Sequence, residues 1–141
     1  MSTSFNRILV HAVWSTKYRQ KLIYSSIEKE IHEFIKAKFN DMGCSVVIIN
    51  GMPDHVHCLF LMSRTKSISE IIKFVKGSSS HYINEREFIN THFMWQIGYG
   101  AFSVDHSNID YIANYIRNQK RHHKMNDVWM DHEIDIPKEY K

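Results

Sequence analysis

The apolar positions of this chain change spacing several times, and each change marks an element. Residues 5–16 are rich in β-branched and aromatic side chains and predict a strand. Alternation sets Ile8, Val10, Ala12 and Trp14 against Leu9, His11 and Val13, so both faces are largely apolar and the strand is expected to be central. From Ser25 the spacing becomes helical. Ser25 or Ser26 offers an N-cap, Ile27, Ile31, Phe34, Ile35 and Phe39 form one stripe, and Gly43 is placed to cap the C-terminus. Residues 44–50 form a short apolar strand, with Asn50-Gly51 as the expected hairpin turn into a strand that carries His55, His57 and the run to Met62. Ser67 and Glu70 make a capping-box pattern before Ile68, Ile71, Ile72 and Val75, which predicts a second helix. It either continues through Gly77-Ser78-Ser79-Ser80 or breaks there. Residues 93–104 read as a strand interrupted by glycines. Residues 105–123 read as a third helix, with Ile109, Ile112, Ala113 and Ile116 on its packing stripe.

Strand, helix, strand, strand, helix, strand is the order of a ferredoxin-like (RRM-like) antiparallel sheet, an α+β fold with two packing helices. The last helix is appended to it. One domain of 141 residues is expected. Its sheet-and-helix body covers about 5–104, the final helix about 105–124, and a partly acidic tail 125–141.

Composition adds bounds. Apolar residues make up 43% and charged residues 23%, which suits a soluble globular domain. No apolar run approaches the roughly 20 residues of a membrane span, and no secretory pattern opens the chain, so no membrane partner is expected. Cys44 and Cys58 lack metal or redox spacing, and a reducing cytoplasm is expected. The formal charge of +3 is too mild to announce a nucleic-acid binder by itself. Local clusters say more. Lys17, Tyr18 and Arg19 interleave cations with an aromatic ring, as phosphate contact with base stacking would require, although any solvated loop can share that composition. Lys73 and Lys76 precede a hydroxyl-rich run that could meet phosphates.

The chain holds ten histidines, and two of them are His55 and His57. Residues two apart in a strand share a face, so these imidazoles stand together with Val56 turned away, ready to ligate a divalent metal. His-x-His alone is weak in a histidine-rich chain. His11 is either a satisfied core histidine or a neighbour of that pair. On the last helix, Tyr111, Tyr115 and Gln119 follow one another at intervals of a turn and share a face. A tyrosine off the packing stripe can be merely a surface or interface aromatic.

Four landmarks in order make a more specific pattern: the first strand running into Trp14-Ser15-Thr16-Lys17-Tyr18-Arg19, the segment Pro53-Asp54-His55-Val56-His57, the strand with Trp95, Gly98 and Tyr99, and Tyr115-Ile116-Arg117-Asn118-Gln119. Together they resemble the single-strand tyrosine transposases of bacterial and archaeal insertion sequences, the HUH transposases with one catalytic tyrosine. The resemblance covers nearly the whole chain. It implies His55, His57 and Gln119 as ligands of Mg²⁺ or Mn²⁺, although by softness imidazoles accept Zn²⁺ or Ni²⁺ more readily. It implies Tyr115 as the nucleophile, because the family's tyrosine stands four residues before the glutamine. It further implies cleavage and rejoining of single-stranded DNA through a 5′-phosphotyrosine, recognition of hairpins, and a homodimer that exchanges the tyrosine helix. Lys17, Tyr18, Arg19, Lys73, Lys76, Lys120, Arg121 and Lys124 are then expected at the DNA. His122 and His123 are expected to be solvated helix-end cations rather than proton carriers. The rival expectations are a non-cleaving hairpin-binding regulator on the same sheet and a metal enzyme of unrelated chemistry.

Overall fold

The structure is a computed structural model that describes residues 5–124, with side chains to Arg121; the tail 125–141 and the side chains of His122, His123 and Lys124 lie outside the described residues. The chain runs β1 (Leu9–Ser15), a 3-10 turn (Lys17–Arg19), α1 (Ser25–Asp41), β2 (Ser45–Met52), β3 (His55–Leu61), α2 (Ile68–Glu85), β4 (Gly100–Val104), a second 3-10 turn (His106–Asn108), α3 (Ile109–Arg117) and α4 (Gln119–Lys124). The strands form one antiparallel sheet in the order β2-β3-β1-β4, the ferredoxin-like arrangement with β1 in the interior.

Both sheet faces are covered, which explains why β1 and β3 are apolar on both sides. Val10, Ala12, Trp14, Val56, Cys58 and Phe60 join Ile31, Ile35 and Phe39 of α1 and Ile71, Ile72 and Val75 of α2 in the main core. Leu9 and Leu59 pack on the opposite face with Ile112, Ala113, Tyr115 and Ile116 of α3. The appended helix therefore has its own hydrophobic seat, and that seat lies on the face of His55 and His57.

Local chemistry sets the element ends. Gly43 takes φ +81° just past α1, and the amides of Gly43 and Cys44 close on the carbonyls of Asn40 and Phe39. Ser67 and Glu70 form the expected capping box, and α2 continues through Gly77-Ser78-Ser79-Ser80 to Glu85. The start of α1 differs from expectation: Tyr24 occupies the N-cap and no side chain bonds there.

Three further expectations need correction. The hairpin turn is Pro53-Asp54, not Asn50-Gly51, since Asn50 pairs with His57, Gly51 with Val56 and Met52 with His55. Proline fixes its own φ for a turn and has no N–H for the ladder. Gly51 answers to a different demand: a Cβ there would sit 2.1 Å from the carbonyl oxygen of His55. The strand expected over 93–104 is confined to Gly100–Val104, with one isolated bridge between Thr16 and Trp95. Residues before it are held by α2 instead: Trp95 Nε1 donates to Ser79 Oγ at 2.9 Å, and Asn84 bonds both the amide and the carbonyl of Phe93. Finally, the single helix expected over 105–123 is a 3-10 turn and two helices. Asn118, at φ −98° and ψ 22°, separates α3 from α4.

Candidate metal and nucleophile site

The parity of β3 sends His55, His57 and Leu59 to the α3 face and Val56 and Cys58 into the main core. Both imidazoles are buried, with ring centroids 5.1 Å apart and planes at 76°. Each ring is fixed at Nδ1. Asp54 Oδ1 lies 2.7 Å from Nδ1 of His55, and Arg19 Nε donates to Asp54 Oδ2 at 3.2 Å. Burial alone would raise the Asp54 carboxyl, but the hydrogen bond and charge of His55, joined by those of Arg19, hold it at about 2. Nδ1 of His57 lies 2.8 Å from Nε2 of His11, with those rings stacked at 5.0 Å. His11 is thus both things that its position allowed, a buried histidine and a neighbour of the pair.

Gln119 and Tyr115 arrive from the other side. Gln119 is fully buried, with Oε1 3.2 Å from Nε2 of His55, while its Nε2 has no hydrogen-bond partner among the described residues. Tyr115 lies edge-on to His57, with centroids 5.8 Å apart at 83°. It is 6% exposed, whereas Tyr111 is 57% exposed, so of the two tyrosines only Tyr115 sits in the pocket with the imidazoles.

This donor set fits a divalent ion. His55 Nε2 and Gln119 Oε1 stand 3.2 Å apart: a doubly protonated ring would donate to the amide there, and a ring with its one proton on Nδ1, toward Asp54, would face the amide oxygen as a second acceptor. A shared cation satisfies that arrangement. Among the described residues no cluster of three or more His, Cys, Asp or Glu could hold a metal, and the further donor that stands beside His55 is the Gln119 amide oxygen. Two imidazoles and an amide carry no negative charge of their own to repel a phosphate.

The residues expected at DNA divide into groups. Tyr18 and Arg19 hold left-handed backbone at φ 59° and 55°, a conformation that costs on the order of 1 kcal/mol or more per residue and persists only where surrounding structure imposes it. Tyr18 is 76% exposed, with Lys17 Nζ over its ring at 5.4 Å. Lys73 and Arg121 are exposed. Lys76 is instead committed inward: Nζ donates to the carbonyls of Gln96 and Gly98 at 2.6 Å each, and burial lowers its pKa to about 8. Lys120 is committed too, pairing with Glu28 at 2.9 Å and donating to Asn50 Oδ1 and the Gly51 carbonyl. Sequence reasoning placed Asp54 in a landmark and Asn50 in a turn but gave neither a role at the site. The carboxylate beside the first histidine was a usable signal for Asp54, since metal-bound imidazoles commonly donate to one.

A ferredoxin-like sheet whose paired histidines meet a tyrosine and a glutamine from an appended helix defines a structural class. Comparison with known sequences narrows the class. The family described as Transposase IS200 like matches residues 4–119, and the chain belongs to that family, the tyrosine-type DNA transposases. Among its relatives, the ISDra2 transposase TnpA of Deinococcus radiodurans is 25% identical over 114 residues, 77% of this chain and 81% of that protein. The transposase for insertion sequence element IS200 of Salmonella typhimurium is 25% identical over 121 residues, covering 82% and 78%. Solved structures share the fold. A putative transposase from Deinococcus radiodurans superposes with a TM-score of 0.68 at 22% identity, covering 84% of this chain and 95% of that one. A REP-associated tyrosine transposase bound to a REP hairpin superposes with a TM-score of 0.63 at 13% identity, covering 91% and 76%. No helix among the described residues is long and apolar enough to cross a membrane.

Proposed function

We propose that this transposase cuts and rejoins single-stranded DNA at the Tyr115 site, with subterminal hairpins as its recognition elements and the cytoplasm as its place of action. The observation that carries this reading is the meeting of Tyr115 with His57 and of Gln119 with His55 within one chain, at 5.8 Å and 3.2 Å.

The Tyr115 phenol oxygen attacks the scissile phosphorus, the bond from phosphorus to the 3′ oxygen breaks, and the leaving strand departs with a free 3′-OH. The phenol proton passes to solvent or a neighbouring base, and the leaving oxygen takes one up. A 5′-phosphotyrosine retains the energy of the broken bond, so attack by another DNA 3′-OH reseals the strand without ATP. His55, His57 and Gln119 would hold Mg²⁺ or Mn²⁺, which supplies neutralisation of the phosphoryl oxygens. Asp54 and His11 fix the imidazole rings so that each presents Nε2 to the site. Lys17, Tyr18 and Arg19 offer charge and a stacking ring beside it, with Lys73 and Arg121 as further cations. The hairpin bound to a REP-associated relative supports a hairpin partner. A homodimer belongs to this reading. Exchange of the tyrosine helix between its subunits would have to rebuild in trans the contacts that the single chain makes in cis.

The test uses hairpin-bearing single-stranded DNA and Mg²⁺ with wild type and Tyr115→Phe. A covalent protein–DNA adduct from wild type alone is expected. Binding without an adduct would favour the non-cleaving regulator, and adducts that survive Tyr115→Phe would overturn the assignment.

A further inference from the structure

We propose that Asn50 is a positioning residue: its amide grips the end of α3 and the start of α4 and thereby holds Tyr115 and Gln119 against the imidazoles. The role of the positioned groups rests on the reading above; the grip itself rests on geometry.

Asn50 pairs across the ladder with His57, so its side chain leaves the sheet beside the site. Its Nδ2 donates to the carbonyls of Ile116 and Arg117 at 3.1 and 3.0 Å. Its Oδ1 accepts from Lys120 Nζ at 3.1 Å. One amide therefore bonds both sides of the break at Asn118, between Tyr115 and Gln119. Residues four apart on a continuous helix would stack along one line; here the break sets their relation, and Asn50 holds the break. The chemistry demands an amide. Carbonyls at a helix C-terminus need donors, because the last turn leaves them without intrahelical partners and carries partial negative charge. Lys120 needs an acceptor. Aspartate would satisfy the lysine and repel the carbonyls, and leucine would satisfy neither. The lysine is anchored in turn: Glu28 Oε2 of α1 lies 2.9 Å from its Nζ, and it also donates to the Gly51 carbonyl at 2.9 Å. The grip thus ties the tyrosine helix to the edge strand and to α1 of the same chain.

Hydrogen–deuterium exchange on the full chain compares wild type with Asn50→Asp, Asn50→Leu and Lys120→Met. Exchange over residues 109–121 is expected to quicken about tenfold or more in both Asn50 variants, and less in Lys120→Met, while residues 55–61 stay within about twofold of wild type. Unchanged exchange over 109–121, or quickening spread evenly over the chain, overturns the proposal. Should Asn50→Leu fail to fold, the near-isosteric Asn50→Asp and Lys120→Met decide the question. A second arm measures single-turnover adduct formation at saturating hairpin DNA with Mg²⁺. The rate is expected to fall about tenfold in Asn50→Asp, with the DNA Kd within about twofold of wild type. Faster exchange with an unchanged adduct rate overturns the positioning role. If wild type itself forms no adduct, the proposed chemistry fails, and the exchange arm still settles whether Asn50 holds the helix.

Discussion

Replacing Asp54 by asparagine removes the carboxylate that ties Arg19 to His55 while keeping its shape. Asn Oδ1 can still accept from His55, but Nδ2 then faces the Arg19 Nε–H, donor against donor. The native carboxyl lies at about 2 against an ordinary 3.8. At 1.36 kcal/mol per pKa unit that difference corresponds to about 2 kcal/mol. Arg19 is 42% exposed, so its share is screened by solvent and about 1 kcal/mol is the expected loss. The sign follows from linkage. A carboxyl depressed by folding stabilises fully above its ordinary value and loses that contribution as pH falls toward its folded one. Urea unfolding at pH 6 should show the variant about 1 kcal/mol less stable, with the gap narrowing as pH drops from 4 toward 2. Calorimetric titration with Mn²⁺ at pH 7 should show affinity lowered by about 10–100-fold, the usual effect of losing a carboxylate behind a metal-bound imidazole. Equal stability at pH 6, or a gap indifferent to acid, would refute the account of Asp54. Unchanged Mn²⁺ affinity would refute its role behind His55.

Other perturbations probe separate parts. Gly51→Ala places a Cβ 2.1 Å from the His55 carbonyl, backbone that cannot swing aside, and thermal melting should show a loss of about 2 kcal/mol or more; an unshifted melt would contradict the close approach. His32 is held at about 4, burial being the main cause and Lys120 adding to it against the opposing pull of Glu28 and Glu33. The unfolded chain then binds more protons than the folded one between pH 4 and 6.5, so stability should rise with pH across that window by up to about 3 kcal/mol. His32→Leu should flatten that rise in urea midpoints, and parallel curves would count against it. His57→Ala should abolish measurable Mn²⁺ binding in calorimetry while hairpin DNA affinity stays within about threefold, and persistent metal binding would remove His57 from the donor set.

The periodicities carried much of the architecture. β1 advertised burial on both faces, the Ser67–Glu70 box fixed the start of α2, and Gly43 marked the end of α1. The parity of His55-Val56-His57 was sufficient to put both imidazoles on one face. What escaped depends on tertiary contacts. Asn50-Gly51 has the composition of a turn, but the register is closed three residues later by Pro53-Asp54, and glycine serves the close backbone approach instead. Phe93 and Trp95 carry strand propensity, yet α2 takes them through Asn84 and Ser79. The interruption at Asn118 has no local breaker to announce it, and the side chain that bonds both sides of it, Asn50, comes from β2, far earlier in the chain. Lys76 and Lys120 looked like surface cations until the carbonyls and carboxylate around them came into view.

Tyr115 shares its cluster with Leu9, Leu59, Ile112, Ala113 and Ile116, so the phenol proposed as nucleophile is held by apolar packing as much as by polar contacts. An aliphatic neighbour with no chemistry of its own becomes a tuning screw. Trimming Ile116 by one methyl group would let the ring drift and alter the angle at which it meets a phosphorus atom. On the proposed chemistry, altered turnover can therefore originate in ordinary packing residues that share a sheet face with the imidazoles.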